Sequence, residues 1–210
     1  MSIEKCVQDS VNAAVERMLP QGGFLNPTSY KIYNDTNVSY ICLNKGYFVP
    51  CTNQHPMLIN EMKNEIYNYI NPRVEQCFAS MKKEYEKMRW VVELGNMNLT
   101  IEMAPGRIFV DIEREIRATK NEVTSTFEGV DIEVINPAYD LANIAIDIAN
   151  NEAKYCSFEY VGYMVLYPTW DIRIFTLSDY TKIYTIKDKA TGKKMNIAIR
   201  SCAMPPGMGI

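Results

Sequence analysis

The chain has 210 residues, 47% of them hydrophobic, and its 22 basic and 25 acidic side chains leave a net charge of −3. This length and apolar content indicate a globular protein with one large domain or two small, interlocked ones. The mixed charges form no concentrated basic stretch, so nucleic acid is not an expected partner. No window reaches the roughly 18 to 20 apolar residues that cross a bilayer, and residues 1–19 are too polar for a signal peptide. We therefore expect membrane attachment only through an N-terminal anchor that this sequence lacks.

The first part of the chain predicts one helix followed by short strands. Ser2 is a suitable N-cap, and apolar residues recur at helical spacing from there to Pro20. The segments that follow are rich in β-branched and aromatic residues, which favours short strands in a small hairpin. The three strand-like runs are Tyr30–Tyr33, Val38–Leu43 and Tyr47–Val49.

A second helix is predicted to open at Pro56, which suits the first helical position, and to restart or kink at Asn71-Pro72. Its apolar spacing points Cys77 inward. A third helix is predicted after Asn136-Pro137, with Asn136 as the N-cap. For the segment from Cys156 to Leu166, the sequence is compatible with either a strand or a short helix.

Between the second and third helices, the stretch from Trp90 to Val134 alternates apolar and polar residues with period two. It predicts a four-stranded antiparallel meander with turns at Gly95-Asn96, at Pro105-Gly106 and near residues 119–122. The apolar parity changes along the last strand, which places a β-bulge at Gly129.

Three further strand-like runs predict a second antiparallel meander, with a turn at Thr191-Gly192. They are Trp170–Leu177, Lys182–Lys187 and Lys194–Arg200. The expected fold is therefore α+β: N-terminal helices on a four-stranded antiparallel meander, then a helix and a three-stranded antiparallel sheet. The expected division is residues 1–135, which hold the first helices, the cysteine hairpin and the first meander, and residues 136–210, which hold the rest and an extended tail.

Six cysteines, none in the close-spaced pairs of zinc or redox motifs, predict three disulfides. Cys42 and Cys51 flank a short loop between two strand-like runs. A bridge from Cys6 to Cys77 would join two helices, and one from Cys156 to Cys202 would hold the base of the tail. The alternative is a cytosolic protein with six reduced thiols.

No motif for catalysis or for binding a cofactor or metal is present. His55 is the only histidine, which argues against a His-centred nucleophile or a multi-His metal site. Cys42, Cys51 and His55 could supply three zinc ligands, but their spacing matches no common module and no fourth ligand is near. The glycines lie in turns and form no phosphate cradle. We therefore expect no catalytic residue, no cofactor and no metal.

Six carboxylates in the first meander leave a catalytic alternative open. Paired acids at a sheet edge are the chemistry of glycoside hydrolysis, so the alternative function is a carboxylate-dependent hydrolase of envelope glycans. Alternation with apolar residues favours the simpler interpretation, a solvent face. The six are Asp111, Glu113, Glu115, Glu128, Asp131 and Glu133.

Three glycosylation sequons begin at Asn34, Asn37 and Asn98, and they weakly support export. The chain also has 14 tyrosines. Tyrosine offers rigid contact area with a polar tip, which suits surface recognition, although half-buried strand positions are the more common use.

The chain also resembles a family in several segments taken in order. They are Gln21-Gly22-Gly23-Phe24, Phe48-Val49-Pro50, Tyr69-Ile70, Cys77, Leu141-Ala142, Ile183–Asp188 and Met195–Arg200. These segments resemble uncharacterised, predicted membrane-anchored extracytoplasmic proteins of DPANN archaea of the Woesearchaeota and Pacearchaeota type. The resemblance implies an N-terminal transmembrane helix followed by an extracytoplasmic domain, and it implies no activity.

The expected function is that of a non-catalytic structural or binding protein on the cell surface, outside the cytoplasmic membrane. Its expected partner is another protein or a second copy of the chain. In one version, an exposed strand edge pairs with an extended segment such as the tail Ala203–Ile210 of a neighbour.

Overall fold

A computed structural model describes residues 2–205 and shows an α+β protein with two sheets. The chain divides into two compact units, of which unit 1 is Met1–Ala14 with Lys63–Asn136 and unit 2 is Val15–Met62 with Pro137–Ile210. The helices are α1 (Ile3–Met18), α2 (Leu58–Lys87), α3 (Ala138–Tyr155) and α4 (Tyr160–Leu166). The strands are β1 (Tyr30–Tyr33), β2 (Thr36–Leu43), β3 (Thr52–Asn53), β4 (Val91–Leu94), β5 (Asn98–Ala104), β6 (Arg107–Lys120), β7 (Val123–Ile135), β8 (Trp170–Thr176), β9 (Lys182–Asp188) and β10 (Lys194–Arg200).

Helix α2 differs in two ways from the sequence prediction. It begins at Leu58 rather than Pro56, because residues 56–57 form a turn in which Leu58 N donates to the His55 carbonyl at 3.1 Å. It also does not restart at Asn71-Pro72 but continues through Pro72 as one helix, and a kink there stays a prediction. Proline removes one helical hydrogen bond, and just beyond it Arg73 Nη1 donates to the Tyr69 carbonyl at 2.7 Å. This contact supplies the helix with a side-chain hydrogen bond in the turn that proline weakens.

The sheet of unit 1 is built on the long strand β6. Strand β7 pairs with β6 from Arg107 to Lys120, so β4 and β5 share its other edge. Both run antiparallel to β6 and therefore in the same direction as each other. The predicted turn at Gly95-Asn96 is thus wrong: the chain stays beside β6, where Gly95 N donates to the Glu115 carbonyl at 2.8 Å.

The predicted bulge at Gly129 is confirmed, with the extra residue in the partner strand. The β6–β7 register shifts between Glu113 and Ile116, opposite Gly129. Gly129 has a φ of +153°, and a Cβ there would lie 2.5 Å from the Ile112 carbonyl oxygen. Only glycine fits this position, and the bulge accounts for the parity change along β7.

The core of unit 1 lies on one face of this sheet, as the alternation predicted. Side chains of β5 and β6 alternate between buried and exposed. The buried face carries Leu99, Ile101, Met103, Ile108, Val110 and Ile112, and the helices contribute Val7, Val11, Ile66, Ile70, Val74 and Phe78.

The sheet of unit 2 has six strands in the order β1-β2-β10-β9-β8, with β3 paired to β2. Strands β8, β9 and β10 form the predicted antiparallel meander. The early hairpin joins it, because β2 pairs in parallel with β10. The predicted strand at Tyr47–Val49 is absent: these residues form exposed bends, and the strand that returns along β2 after this loop is β3.

Helices α3 and α4 belong to unit 2. Helix α3 packs on the sheet with a fully buried stripe that includes Leu141, Ala145 and Ile148. The predicted cap at Asn136 is wrong, since the N-cap residue is Pro137, which makes no side-chain cap bond. The segment from Cys156 to Leu166, for which two predictions were left, contains a short helix, α4, rather than a strand.

Candidate functional site

One face of the unit 2 sheet is graded from charged side chains to a buried apolar cluster, in which Ile183 and Ala198 pack with Val38 and Tyr40. Strands β8, β9 and β10 place three cross-strand rows on this side. The first row is charged, the second has one arginine and two uncharged polar residues, and the third is apolar. The rows are Asp171, Lys187 and Lys194; Arg173, Thr185 and Asn196; and Phe175, Ile183 and Ala198.

Lys187 and Lys194 lie directly opposite each other on neighbouring strands. Like charges in this position destabilise a sheet. Among the described residues, neither lysine makes an ion pair. The nearby carboxylate, Asp171, is engaged by Arg173, whose Nη2 lies 3.1 Å from Asp171 Oδ2. Three cations therefore face one carboxylate, and the site has an excess of positive charge.

A cleft of about 470 Å³ lies over these rows, and its lining includes Arg173, Thr185, Lys187 and Lys194. Strand β1 supplies the opposite wall through Tyr33. Binding clefts in proteins are typically roughly 300–1,000 Å³, so this one holds a ligand of one or two rings. The site combines cations, hydroxyls and an aromatic wall.

Tyr33 is held over the sheet by contacts with the far strand. Its ring centroid lies 5.6 Å from that of Phe175. On the same strand, Lys31 Nζ lies 2.6 Å from Asp179 Oδ2. Burial alone would raise the pKa of Asp179, but hydrogen bonds from Lys31 and Thr181 outweigh it and lower that pKa. The ion pair therefore keeps β1 folded back over the cleft.

The opposite side of the sheet is fixed to α3 by a buried polar network. The carboxylate of Glu152 is fully buried and accepts two bonds from Lys182 Nζ, at 2.7 Å and 2.9 Å. It also accepts a hydrogen bond from the Tyr184 hydroxyl. Burial and the negative charge of Glu152 raise the pKa of Tyr184, so this hydroxyl stays a donor. Because β9 carries both Lys182 and Tyr184, the network fixes the strand that presents Lys187 on its other face.

This site was not predicted from the sequence, and the only local signal was the hairpin between its two lysines. A hairpin centred on the predicted Thr191-Gly192 turn would set Lys187 against Asn196, whereas the observed register sets it against Lys194. The position of Tyr33 has no such local signal, because it depends on the folding of β1 across the sheet.

The predicted disulfides form with the predicted pairings. They are Cys6–Cys77 in unit 1, and Cys42–Cys51 and Cys156–Cys202 in unit 2. No cysteine is free. Since disulfides persist in oxidising compartments, these bridges indicate a non-reducing environment. Among residues 2–205, no helix is long and apolar enough to cross a membrane.

The ring of His55 is engaged by a hydrogen bond with Glu61. Its Nδ1 lies 2.5 Å from Glu61 Oε2, and its ring packs 4.6 Å from that of Phe24. Cys42 and Cys51 are bonded to each other, so neither offers a thiolate. Within the described part of the chain, no group of three or more metal-ligating side chains is arranged to hold an ion.

The six candidate acids of the hydrolase alternative lie on the other sheet, in unit 1. Asp111 and Asp131 are direct cross-strand partners. Partial loss of hydration, together with the hydrogen bond and negative charge of Asp131, raises the pKa of Asp111. Others are paired with bases: Glu133 with Arg107 and Glu115 with Arg117, each at 2.7 Å. The structure therefore brings together one pair of acids, and it neutralises two of the others.

The three sequon asparagines are in different settings. Asn34 is exposed in the turn between β1 and β2, and Asn37 is half-buried in β2. Asn98 is exposed at the start of β5, where its Nδ2 donates to Glu113 Oε2 at 3.1 Å. Glycosylation at these three positions stays a prediction.

No protein-family model matches this chain, and no curated protein or solved structure matches it either. The resemblance to the archaeal proteins therefore stays a prediction, and function is argued from the site alone.

Proposed function

We propose that this protein is a non-catalytic binding module that works outside the cytoplasmic membrane, and that its basic cleft binds an acidic polysaccharide. The observation that carries the proposal is the unneutralised cross-strand pair Lys187 and Lys194, beside the Tyr33 and Phe175 rings. Three disulfides and no free cysteine support the compartment.

The chemistry of the cleft matches the two sides of an acidic sugar. Carboxylate, sulfate or phosphate groups form charge-assisted hydrogen bonds with lysine and arginine, which are about twice as strong as neutral ones. The carbon-bound hydrogens of a sugar ring pack against an aromatic face such as that of Tyr33. Because Tyr33 and the exposed Phe175 line the same cleft as Lys187 and Lys194, one ligand can contact both the rings and the cations.

The test is a binding titration of the full chain with dextran sulfate and with uncharged dextran. We expect binding to dextran sulfate alone, with an affinity that falls as salt rises. The variant Lys187→Glu/Lys194→Glu should weaken it by at least about tenfold, since both cations are lost. Lys83→Glu/Lys87→Glu changes the net charge equally on exposed positions of α2 and should bind as the unmodified chain does.

Two results would contradict the proposal: equal binding of the two polymers, or equal losses in the two double variants. Tyr33→Ala separates stacking from charge. If the ring contacts the sugar, this variant weakens binding without changing its salt dependence, because no charge is removed.

The tail-mediated version of self-assembly also stays a proposal. The base of the tail is held by its own chain, where Phe48 N donates to the Ala203 carbonyl and Cys202 N to the Val49 carbonyl, both at 2.9 Å. Ala203 is buried, so deletion from Ala203 would disturb the fold. Residues 206–210 lie outside the described residues, and their deletion is the cleaner test. Assembly that survives it, measured by sedimentation, rejects the tail.

The hydrolase alternative now rests on Asp111 and Asp131. Glycosidase acids flank the scissile bond at roughly 5–9.5 Å, whereas these two carboxyls are hydrogen-bonded to each other on an exposed face. If the protein hydrolysed envelope glycans through this pair, Asp111→Asn would abolish release of reducing sugar.

A further inference from the structure

We propose that α4 and the residues that follow it dock this protein on the surface of a lipid bilayer. The inference is independent of the basic cleft. The surface concerned, the α4 patch, consists of Val161, Val165, Leu166 and Tyr167.

The α4 patch is exposed to an extent that packing does not explain. Val165 is 76% exposed and Leu166 75%, and no residue of α4 is buried. Each apolar side chain left in water forgoes the free energy that burial would provide. A helix of seven residues is also too short to be stable by itself. The chain therefore holds an apolar surface outward at a cost, which is typical of an interaction site.

The surrounding contacts hold α4 in one position. The Glu159 carboxylate accepts from Gly162 N at 3.4 Å at the start of the helix. At its end, the Tyr163 and Tyr167 rings pack with centroids 4.7 Å apart. Just before it, the Cys156–Cys202 disulfide ties the segment to the C-terminal part of unit 2. The exposed residues are thus presented by a fixed element rather than by a loose loop.

The composition of the patch and its surroundings matches the bilayer interface. Tyrosine and tryptophan, with apolar rings and polar tips, are enriched where lipid meets water. Here Tyr167 borders the aliphatic residues Val165 and Leu166, and Trp170 follows. Residues of this kind bury shallowly among headgroups while their polar atoms stay hydrated.

Basic side chains lie before and after the patch in the chain. Lys154 Nζ is 4.7 Å from the Tyr155 ring centre, one residue before the disulfide cysteine. Beyond the helix, Lys189 Nζ donates to the Pro168 carbonyl at 2.7 Å. Both lysines are exposed, and the acids near the helix are Glu159 at its start and Asp147 of α3, whose charge contributes, after burial, to raising the pKa of Tyr163. Lysines next to an apolar patch favour anionic headgroups.

The size of the patch also favours a membrane over a protein. A stable protein interface takes about 20–30 residues from each side, many more than the four of this patch. Shallow insertion into a bilayer needs only a few apolar side chains, because binding scales with the apolar area buried and with the attraction of nearby charges.

The experiment is flotation of the full chain with vesicles of phosphatidylcholine plus phosphatidylglycerol, and with vesicles of phosphatidylcholine alone. We expect flotation with the anionic vesicles and weaker flotation with the neutral ones. The variant Val165→Glu/Leu166→Glu should reduce the floated fraction about tenfold or more, because charged side chains replace the inserted ones. The matched control is Val91→Glu/Val123→Glu, two valines of unit 1 that are each 64% exposed and should not matter.

Three outcomes would overturn the proposal. One is no flotation with either vesicle. Another is flotation that is lost in Lys187→Glu/Lys194→Glu but kept in Val165→Glu/Leu166→Glu, which would assign lipid binding to the cleft. The third is a concentration-dependent dimer in sedimentation that Val165→Glu/Leu166→Glu abolishes while flotation is unchanged, which would make the α4 patch a protein interface.

Discussion

The two sheets of this protein handle like charges in opposite ways. On the solvent face of the unit 1 sheet, Asp111 lies directly opposite Asp131, and on that of the unit 2 sheet, Lys187 lies directly opposite Lys194. Loss of hydration, together with the hydrogen bond and charge of Asp131, raises the pKa of Asp111, so protonation of Asp111 relieves this repulsion. Two lysine ammonium groups cannot hydrogen-bond to each other, because each is a donor without an acceptor. A repulsion that persists keeps its charge available to a ligand, which is why the basic face is the better candidate site.

The units also differ in how they use ion pairs. The Lys63–Glu102 pair of unit 1 lies on the surface, with the glutamate side chain 70% exposed. In unit 2, the Glu152 side chain of the Lys182–Glu152 pair is 0% exposed. Surface pairs contribute little to stability, whereas removing one partner of a buried pair leaves an uncompensated charge. The sheet that presents Lys187 and Lys194 on one face therefore carries a buried ion pair on the other, and substitutions in that pair should destabilise the protein.

The largest effect on stability is expected from removing the disulfides, each of which cross-links residues within one unit. Cys6 and Cys77 are 71 residues apart, whereas Cys42 and Cys51 are 9 apart. In the chain-entropy model, removing the long bridge by Cys6→Ala/Cys77→Ala costs about 4 kcal/mol and removing the short one about 3 kcal/mol. Denaturant unfolding at matched pH measures both. A larger loss for the short bridge would contradict the loop-length argument.

Next in size is the contrast between the buried and the exposed ion pair. Glu152→Gln should lower the free energy of unfolding by about 2–4 kcal/mol, because Lys182 loses its counter-charge. Glu102→Gln removes the same charge from an exposed pair and should cost under about 1 kcal/mol. Equal losses in urea titrations of the two variants would mean that burial does not distinguish the units.

A smaller effect tests the bulge that shapes the unit 1 sheet. Gly129→Ala places a Cβ 2.5 Å from a backbone oxygen, so it should destabilise the protein by about 2–3 kcal/mol. Gly192→Ala, in the β9–β10 turn of unit 2, also has positive φ but no atom within 4 Å of the added Cβ. It should cost only about 1 kcal/mol. Similar melting temperatures for the two variants would remove the steric argument.

The smallest effect tests the like-charge pairs themselves. Because the folded pKa of Asp111 is raised, its favourable contribution is present below the unfolded value near 3.9 and is lost as pH rises through the folded pKa. Asp131→Asn should therefore raise the melting temperature slightly at pH 7 and have no effect at pH 3. Lys194→Gln should raise it at both pH values, since it removes one of two like charges that face each other across the strands. A pH-independent effect of Asp131→Asn would show that protonation of Asp111 does not relieve the repulsion.

Sequence patterns predicted the parts of this fold that depend on neighbours along the chain. Period-two alternation located β5 and β6, helical spacing located α3, and the parity change located the bulge at Gly129. The turn at Gly95-Asn96 failed because glycine and asparagine also occur where a strand merely bends. The strand at Tyr47–Val49 failed because its aromatic composition describes a half-exposed surface, which here belongs to bends.

By itself, the sequence determined the α+β class, the meander β8–β10, the antiparallel run β5–β7 and all three disulfide pairings. Only the tertiary structure decided that β2 joins β10 in parallel and that Tyr33 reaches Phe175. The physical reason is that helix periodicity, turns and hairpin registers arise from residues close in sequence, whereas a cleft wall is set by pairing between distant strands. The hairpin β9–β10, which places Lys187 opposite Lys194, is thus a local structure, whereas the cleft over these lysines depends on pairing between distant strands.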